Sequence, residues 1–217
     1  MKDVLIIGLG RFGRHMAARF LEYGNDVLAV DNSKERAEAA LTYIRNIQIG
    51  DTTNEEFIKS LGVRHFDICV VAIGDSFQNA LETTVLLKDY GAKFILARAT
   101  REVHKKLLLR NGADHVVYGE KELAERLAMK YGADSIFDYI SLTPEYSIYE
   151  IATPKRWIGK TIIEMDVRNK FGISILGFKK DDVLCPNPSP QYVFNKDETL
   201  LILGHKEDIK KIVSIRG

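Results

Sequence analysis

Three glycines, an arginine and an aspartate form the first pattern in this chain that could do chemistry. In "VLIIGLGRFGRHMAARF", Gly8, Gly10 and Gly13 are spaced as GxGxxG, directly after an apolar run and directly before a helical pattern. In that context each glycine has a reason. The first permits a tight turn, the second lets backbone approach a pyrophosphate, and the third packs helix against strand. The hexapeptide alone is a weak signal, but Asp31 strengthens it by ending the next apolar run, about twenty residues on, where a carboxylate can accept hydrogen bonds from ribose hydroxyls. A competing reading makes Asp31 a cap for a helix over Ser33 to Leu41. An acidic group at that place also disfavours a 2′-phosphate, which argues against NADP.

Arg11 is the unexpected member, because it stands inside the glycine turn. A cation at a helix N-terminus is disfavoured by about 0.3 to 1 kcal/mol, so something negative should offset it. That is either a phosphate carrying more exposed charge than the diphosphate of NAD, or solvent and a nearby carboxylate. Gly50-Asp51, Ala72-Ile73-Gly74-Asp75 and Arg98 follow three further apolar runs. Each alone reads as a turn or surface residue; together they outline a nucleotide-sized rim, since ligands of open α/β sheets bind beyond the carboxyl ends of the strands.

The elements that must hold these residues alternate. Val4 to Ile7, Val27 to Val30, Ile68 to Ala72 and Phe94 to Ala97 are short and apolar on both faces, with weaker runs at Ile47 to Ile49 and His115 to Val117. Such strands belong inside a parallel sheet covered by helices on each side. Between them, Met16 to Leu21 ends before Gly24, Thr53-Asn54-Glu55-Glu56 predicts a capping box ahead of Phe57 to Leu61, and Ala80 to Tyr90 ends at Gly91. The fold class is therefore α/β, a doubly wound, Rossmann-like parallel sheet. After a helix over Glu122 to Tyr131 the pattern changes to short alternating strands, at Ser147 to Ile151, Ser174 to Phe178 and Thr199 to Leu203. A loop with Pro186, Pro188 and Pro190 and a closing helix over Glu207 to Ile212 complete this part. It predicts a small α+β domain, with residues 1–133 as the nucleotide-binding domain (including a crossover helix over about 120–131) and 134–217 as the second.

Composition narrows the function classes. With 31 Lys+Arg against 30 Asp+Glu the net charge is +1, which gives no one-signed field for nucleic acid. The longest apolar stretch, Ile68 to Ile73, is far below the roughly 20 residues of a membrane span. Met1-Lys2-Asp3 runs straight into a strand pattern rather than a signal peptide, so the expected location is the cytoplasm. Cys69 and Cys185 are expected to be structural thiols, Cys185 within the proline-rich loop, and the five histidines fall in no metal or hydrolase motif. A dehydrogenase needs an acid/base group and a domain large enough to build a substrate pocket, and the second domain shows no such constellation. Binding without turnover is the favoured reading, and a stand-alone NAD-dependent oxidoreductase is the alternative.

The segments "VLIIGLGRFG", "VLAVDNS", "IGDTTNEEFIKSLGV", "VVAIGDSFQNA", "GADHVVYGEKE" and "LLILGHKEDIKK" together resemble the RCK (regulator of potassium conductance) proteins of bacterial potassium uptake, the KtrA/TrkA family, with the KtrA branch nearest. The resemblance covers essentially the whole chain. It implies a cytosolic, non-enzymatic regulatory subunit that gates a separate potassium-translocating membrane protein at the inner face of the membrane. It also implies dimers assembling into an octameric ring and a bound ATP, ADP or NAD(H). Carried over, Gly8, Gly10 and Gly13 would line the phosphates, Arg11 the terminal phosphate, Asp31 the ribose and Asp51 the adenosine side. Phe12, Asn32, Thr52, Ile73, Gly74, Asp75 and Arg98 complete the set. Glu120 resembles a glutamate that meets a divalent cation, magnesium or calcium, at the dimer interface; equally it suits the N-terminal turn of the following helix, where negative charge is favourable. Asp75 departs from the family pattern, in which a small neutral residue is common, and puts the strength of NAD binding in question. Some relatives bind cyclic di-AMP between two second domains. Ile163, Arg168 and Ile175 are the candidates for it here, although an amphipathic helix followed by a core strand has the same pattern.

Overall fold

The apolar runs of the first half become strands because each is too short for a helix and is followed by a helical pattern able to cover it. The computed structural model describes residues 1–132 and 135–214. The chain divides into two compact units, Met1–Lys121 and Glu122–Gly217. Residue 133, near which the sequence places the boundary, lies outside the described residues.

In the first unit, β1 (Asp3–Ile7), α1 (Arg11–Glu22), β2 (Asp26–Asp31), α2 (Lys34–Ala40), β3 (Asn46–Ile49) and α3 (Glu55–Leu61) are followed by β4 (Ile68–Val71), α4 (Phe77–Asp89), β5 (Ile95–Arg98), α5 (Glu102–Arg110) and β6 (His115–Val117). The six strands form a parallel sheet in the order β3-β2-β1-β4-β5-β6. Alternate residues of β1 feed two cores. Leu5 and Ile7 pack with Ile58, Leu87 and Leu108, whereas Val4 and Ile6 pack with Ala17, Ala29 and Ile44. Burial on both faces is what removes the period-2 alternation from these strands. Chain order reverses at β1, which lies between β2 and β4, so the crevice at the carboxyl ends opens above β1.

The helix caps are local. Ser33 Oγ accepts from the Arg36 amide at the start of α2, and Ser76 Oγ accepts from the Asn79 amide at the start of α4. The expected Thr53–Glu56 box is not what caps α3. Asn54 Oδ1 accepts from the Phe57 amide at 3.1 Å, because Asp51 Oδ1 already takes the Thr53 amide and hydroxyl at 2.9 and 2.8 Å.

α6 (Gly119–Gly132) starts three residues before its expected first residue. The second unit contains β7 (Ile136–Ser141), β8 (Tyr146–Ala152), α7 (Ile162–Met165), α8 (Val167–Phe171), β9 (Ile173–Lys180), β10 (Val183–Pro186), β11 (Thr199–His205) and α9 (Lys206–Ser214). Its five strands are antiparallel, in the order β10-β9-β11-β8-β7. Their alternating side chains bury one face against Trp157, Phe194, Ile209 and Ile212. A capping box does occur here: Thr161 Oγ1 accepts from the Glu164 amide and Glu164 Oε2 from the Thr161 amide. Asp166, at φ +47°, separates α7 from α8, so the segment before β9 is two short helices. Cys185 lies in β10 opposite Phe178, rather than in a loop, because the chain pairs with β9 up to Pro186 before turning. Burial pushes the Cys69 thiol up to about 12, which suits an inert packing role.

Candidate functional site

The glycine turn between β1 and α1 is built by backbone contacts that no side chain could replace. Gly8 has φ +98° and donates its N–H to Val30 O at 2.8 Å. A β-carbon on Gly13 would lie 1.8 Å from Gly8 O, so the third glycine is what lets α1 approach the turn. Gly10 differs, since a β-carbon there would meet nothing within 4 Å. Gly10 is also the N-cap of α1, no side chain caps that end, and no acidic residue stands in its first turn. Arg11 is exposed and makes no ion pair with any described residue. This helix end therefore presents N–H groups, the positive end of the dipole and a guanidinium together, as suits an anion.

The end of β2 is arranged oppositely. Asp31 is buried, and its carboxylate accepts from the Leu9 amide at 2.6 Å, the Ser33 amide at 2.8 Å and Arg36 Nε at 3.1 Å. It ties the glycine turn to the start of α2, as the helix-end reading of Asp31 expects, and the residue lines the cleft. Arg36 also donates to Asn32 Oδ1 at 3.2 Å and to Asp75 Oδ2 at 3.3 Å. Partial burial works against its charge, but the Asp75 hydrogen bond and the Asp31 and Asp75 carboxylates outweigh it and raise its pKa. Asp75 thus shares Arg36 with Asp31.

These groups line a cleft of about 310 Å³ at the carboxyl ends of the strands. Gly8, Gly10, Arg11, Asp31, Asn32, Asp51, Thr52, Ile73, Gly74, Asp75 and Arg98 all line it; Phe12 and Gly13 do not. Gly13 packs beneath the turn, and the Phe12 ring lies 5.6 Å from the Arg98 guanidinium. Thr52 is buried, and its hydroxyl shares a 2.8 Å hydrogen bond with Thr83. Arg98 Nη1 would be 2.8 Å from a β-carbon on Gly74, so that glycine makes room for the arginine. Arg98 forms an ion pair with Glu120, on the first turn of α6. The Glu120 carboxyl is held below the usual carboxylate range, first by its own backbone N–H, then by Arg98 and, most weakly, by Arg11.

The TrkA-N domain family matches residues 4–119 and the TrkA-C domain family residues 146–217. The chain belongs to the TrkA family. It is 36% identical over 210 residues to the Ktr system potassium uptake protein A of Bacillus subtilis (strain 168), and 34% identical over 210 residues to protein C of the same system and strain. Each alignment covers 97% of this chain and 95% of the relative. Among solved structures, the GsuK channel bound to NAD superposes with a TM-score of 0.71 at 19% identity, over 98% of this chain and 39% of that one, which shows a shared fold.

Within this TrkA-family chain, Arg36 and Asn79 line the cleft without having been singled out by the sequence. Arg36 had a signal: it stands one turn into the helix that follows Asp31. Asn79 had none beyond its place near the start of α4. In the TrkA-C part, Ile163 is exposed on α7, Arg168 is exposed on α8, and Ile175 of β9 packs against the core of the second unit. Among the described residues no group of three or more His, Cys, Asp or Glu side chains could hold a metal ion.

Proposed function

We propose that this TrkA-family chain is the nucleotide-binding regulatory subunit of a potassium uptake system, and that it reads ATP or ADP, with NAD(H) as a third candidate, in the cleft above β1. The observation that carries this is the start of α1, where an uncapped helix end, an open Gly10 and an unpaired Arg11 converge on the cleft. Backbone N–H groups of the glycine turn and Arg11 would hold phosphates, and Asp31, Asn32 and Asp51 would face the adenosine. The cleft is lined by aspartates and arginines, and the role proposed for it is binding without turnover.

The rest of the proposal follows the family. A nucleotide-binding domain and a second domain, divided near residue 133, would act as one subunit. Dimers would assemble into an octameric ring on a separate membrane protein that carries the ion, at the cytoplasmic face. No described helix is long and apolar enough to cross a membrane. Ile163, Arg168 and Ile175 are proposed to meet cyclic di-AMP. A divalent cation at Glu120 does not fit one chain, since that carboxylate is held by Arg98 and stands in no metal-binding group among the described residues. It would require the partner's Glu120.

Isothermal titration against ATP, ADP, NADH and NAD, with and without magnesium, tests this reading together with size-exclusion chromatography. The expected result is binding without turnover by a particle far above 24.6 kDa. A monomer, or steady NADH oxidation with a hydroxy acid or aldehyde partner, would favour the oxidoreductase.

A further inference from the structure

Arg36 is the one cation that lines the cleft at the end of β2, among the described residues. Dinucleotide sites of this fold distinguish a ribose 2′-hydroxyl from a 2′-phosphate by what stands there: a carboxylate accepts from the hydroxyl, and an arginine accommodates the phosphate. Here both groups are present. We propose that Asp75 decides between them, by occupying the arginine that would otherwise receive a 2′-phosphate. The proposal rests on the nucleotide reading of the same cleft.

The geometry separates a fixed contact from a removable one. Nε of Arg36 is tied to Asp31, which is buried and also held by two backbone amides, so this edge of the guanidinium does not come free. Nη1 is tied to Asp75 Oδ2 at 3.3 Å, and the Asp75 side chain is 67% exposed with no other hydrogen bond to a described residue. Asp75 comes from the loop before α4, and Arg36 from the first turn of α2. The two carboxylates and one guanidinium sum to −1. A 2′-phosphate would meet net repulsion, and both terminal nitrogens of the guanidinium already donate, Nη1 to Asp75 and Nη2 to Asn32. Without Asp75 the group is neutral, and Nη1 of Arg36, a residue that lines the cleft, becomes a donor for an anion.

The test compares dissociation constants for 5′-ADP and 2′,5′-ADP by calorimetry, in the wild type, Asp75→Asn, Asp75→Ala and the double variant Asp75→Asn/Arg36→Gln. The wild type is expected to prefer 5′-ADP. In both Asp75 variants the ratio of the two constants should shift toward 2′,5′-ADP by about tenfold, the size of one charge-assisted hydrogen bond gained. The double variant should lose that shift. Circular dichroism confirms folding, and Asp75→Ala covers the case in which an asparagine still accepts from Arg36. An unchanged ratio in folded variants, a shift that survives loss of Arg36, or a wild type that prefers 2′,5′-ADP would overturn the inference while the nucleotide reading stands. Binding of neither nucleotide would overturn both.

Discussion

The two ends of the cleft use arginine in opposite ways. At the glycine turn, Arg11 opens α1 with no carboxylate partner, in the position where the helix dipole disfavours it by about 0.3 to 1 kcal/mol. At the end of β2, Arg36 sits in the first turn of α2 and is held by Asp31, Asn32 and Asp75. Both side chains line the same cleft, and both stand near a helix N-terminus. The difference is that Arg36 is held by the protein, so it shapes the wall, whereas Arg11 has no ion-pair partner among the described residues. A cation held against a helix dipole without a protein partner indicates a ligand more strongly than one held in a network does.

Removing the turn would break the comparison most severely. In Gly13→Ala the new β-carbon cannot coexist with Gly8 O at 1.8 Å, so α1 or the turn must shift. The expected loss in urea unfolding is about 3 kcal/mol, at the high end for overpacking because the obstacle is backbone. Both ends should fail together, since Asp31 reaches the turn through the Leu9 amide. A variant as stable as the wild type would mean that Gly13 does not pack beneath Gly8.

The next change touches one end only. If Arg11 meets a terminal phosphate, Arg11→Ala loses a charge-assisted contact of roughly 1.5 to 3 kcal/mol, hence about ten- to a hundredfold in ATP affinity. ADP should be affected less. Thermal stability of the protein alone should hold or rise slightly, because a cation is removed from the positive end of α1. Equal losses for ATP and ADP would place the arginine on inner phosphates instead, and no loss for either would leave the turn as a backbone cradle.

The contrast was only half legible in the sequence. The glycine turn could be read because all its parts lie within one strand, turn and helix, and the parallel sheet because its strands lose alternation when both faces are covered. Asp31 was legible by its place at the end of β2. Its partner Arg36, and the pairing of Arg36 with Asp75, were not. Those residues are 39 positions apart and meet only because β2 and β4 flank β1 in the sheet. The Arg98–Glu120 pair, 22 positions apart, is likewise made by strand pairing, of β5 with β6. Local competition explains the α3 cap, where Asp51 claimed Thr53 and left the role to Asn54. α5 gave no clear pattern because Leu107, Leu108 and Leu109 are consecutive, and only Leu108 is fully buried.

The smallest expected effect belongs to Glu120, which ties Arg98 into the wall next to the turn. Its carboxyl titrates below its ordinary value in the folded chain, so it contributes stability that is fully present above the unfolded carboxylate pKa of about 4.3. That contribution is lost as pH falls through the lowered folded value. The Glu120 side chain is 60% exposed, so solvent screening limits the contribution to about 1 kcal/mol or less. Glu120→Gln should therefore unfold at slightly lower urea than the wild type at neutral pH, with the gap closing as the pH falls through the lowered folded value and both side chains become uncharged. Added salt should narrow the gap at neutral pH, as expected for an exposed pair. A gap that persists in acid would assign Glu120 a packing role, and one that opens only when magnesium or calcium is added would assign it to a cation shared with a second copy. Among these three outcomes, closure in acid without any metal requirement makes Glu120 the partner of Arg98 within one chain, and leaves Arg11 as the unpaired arginine of the cleft.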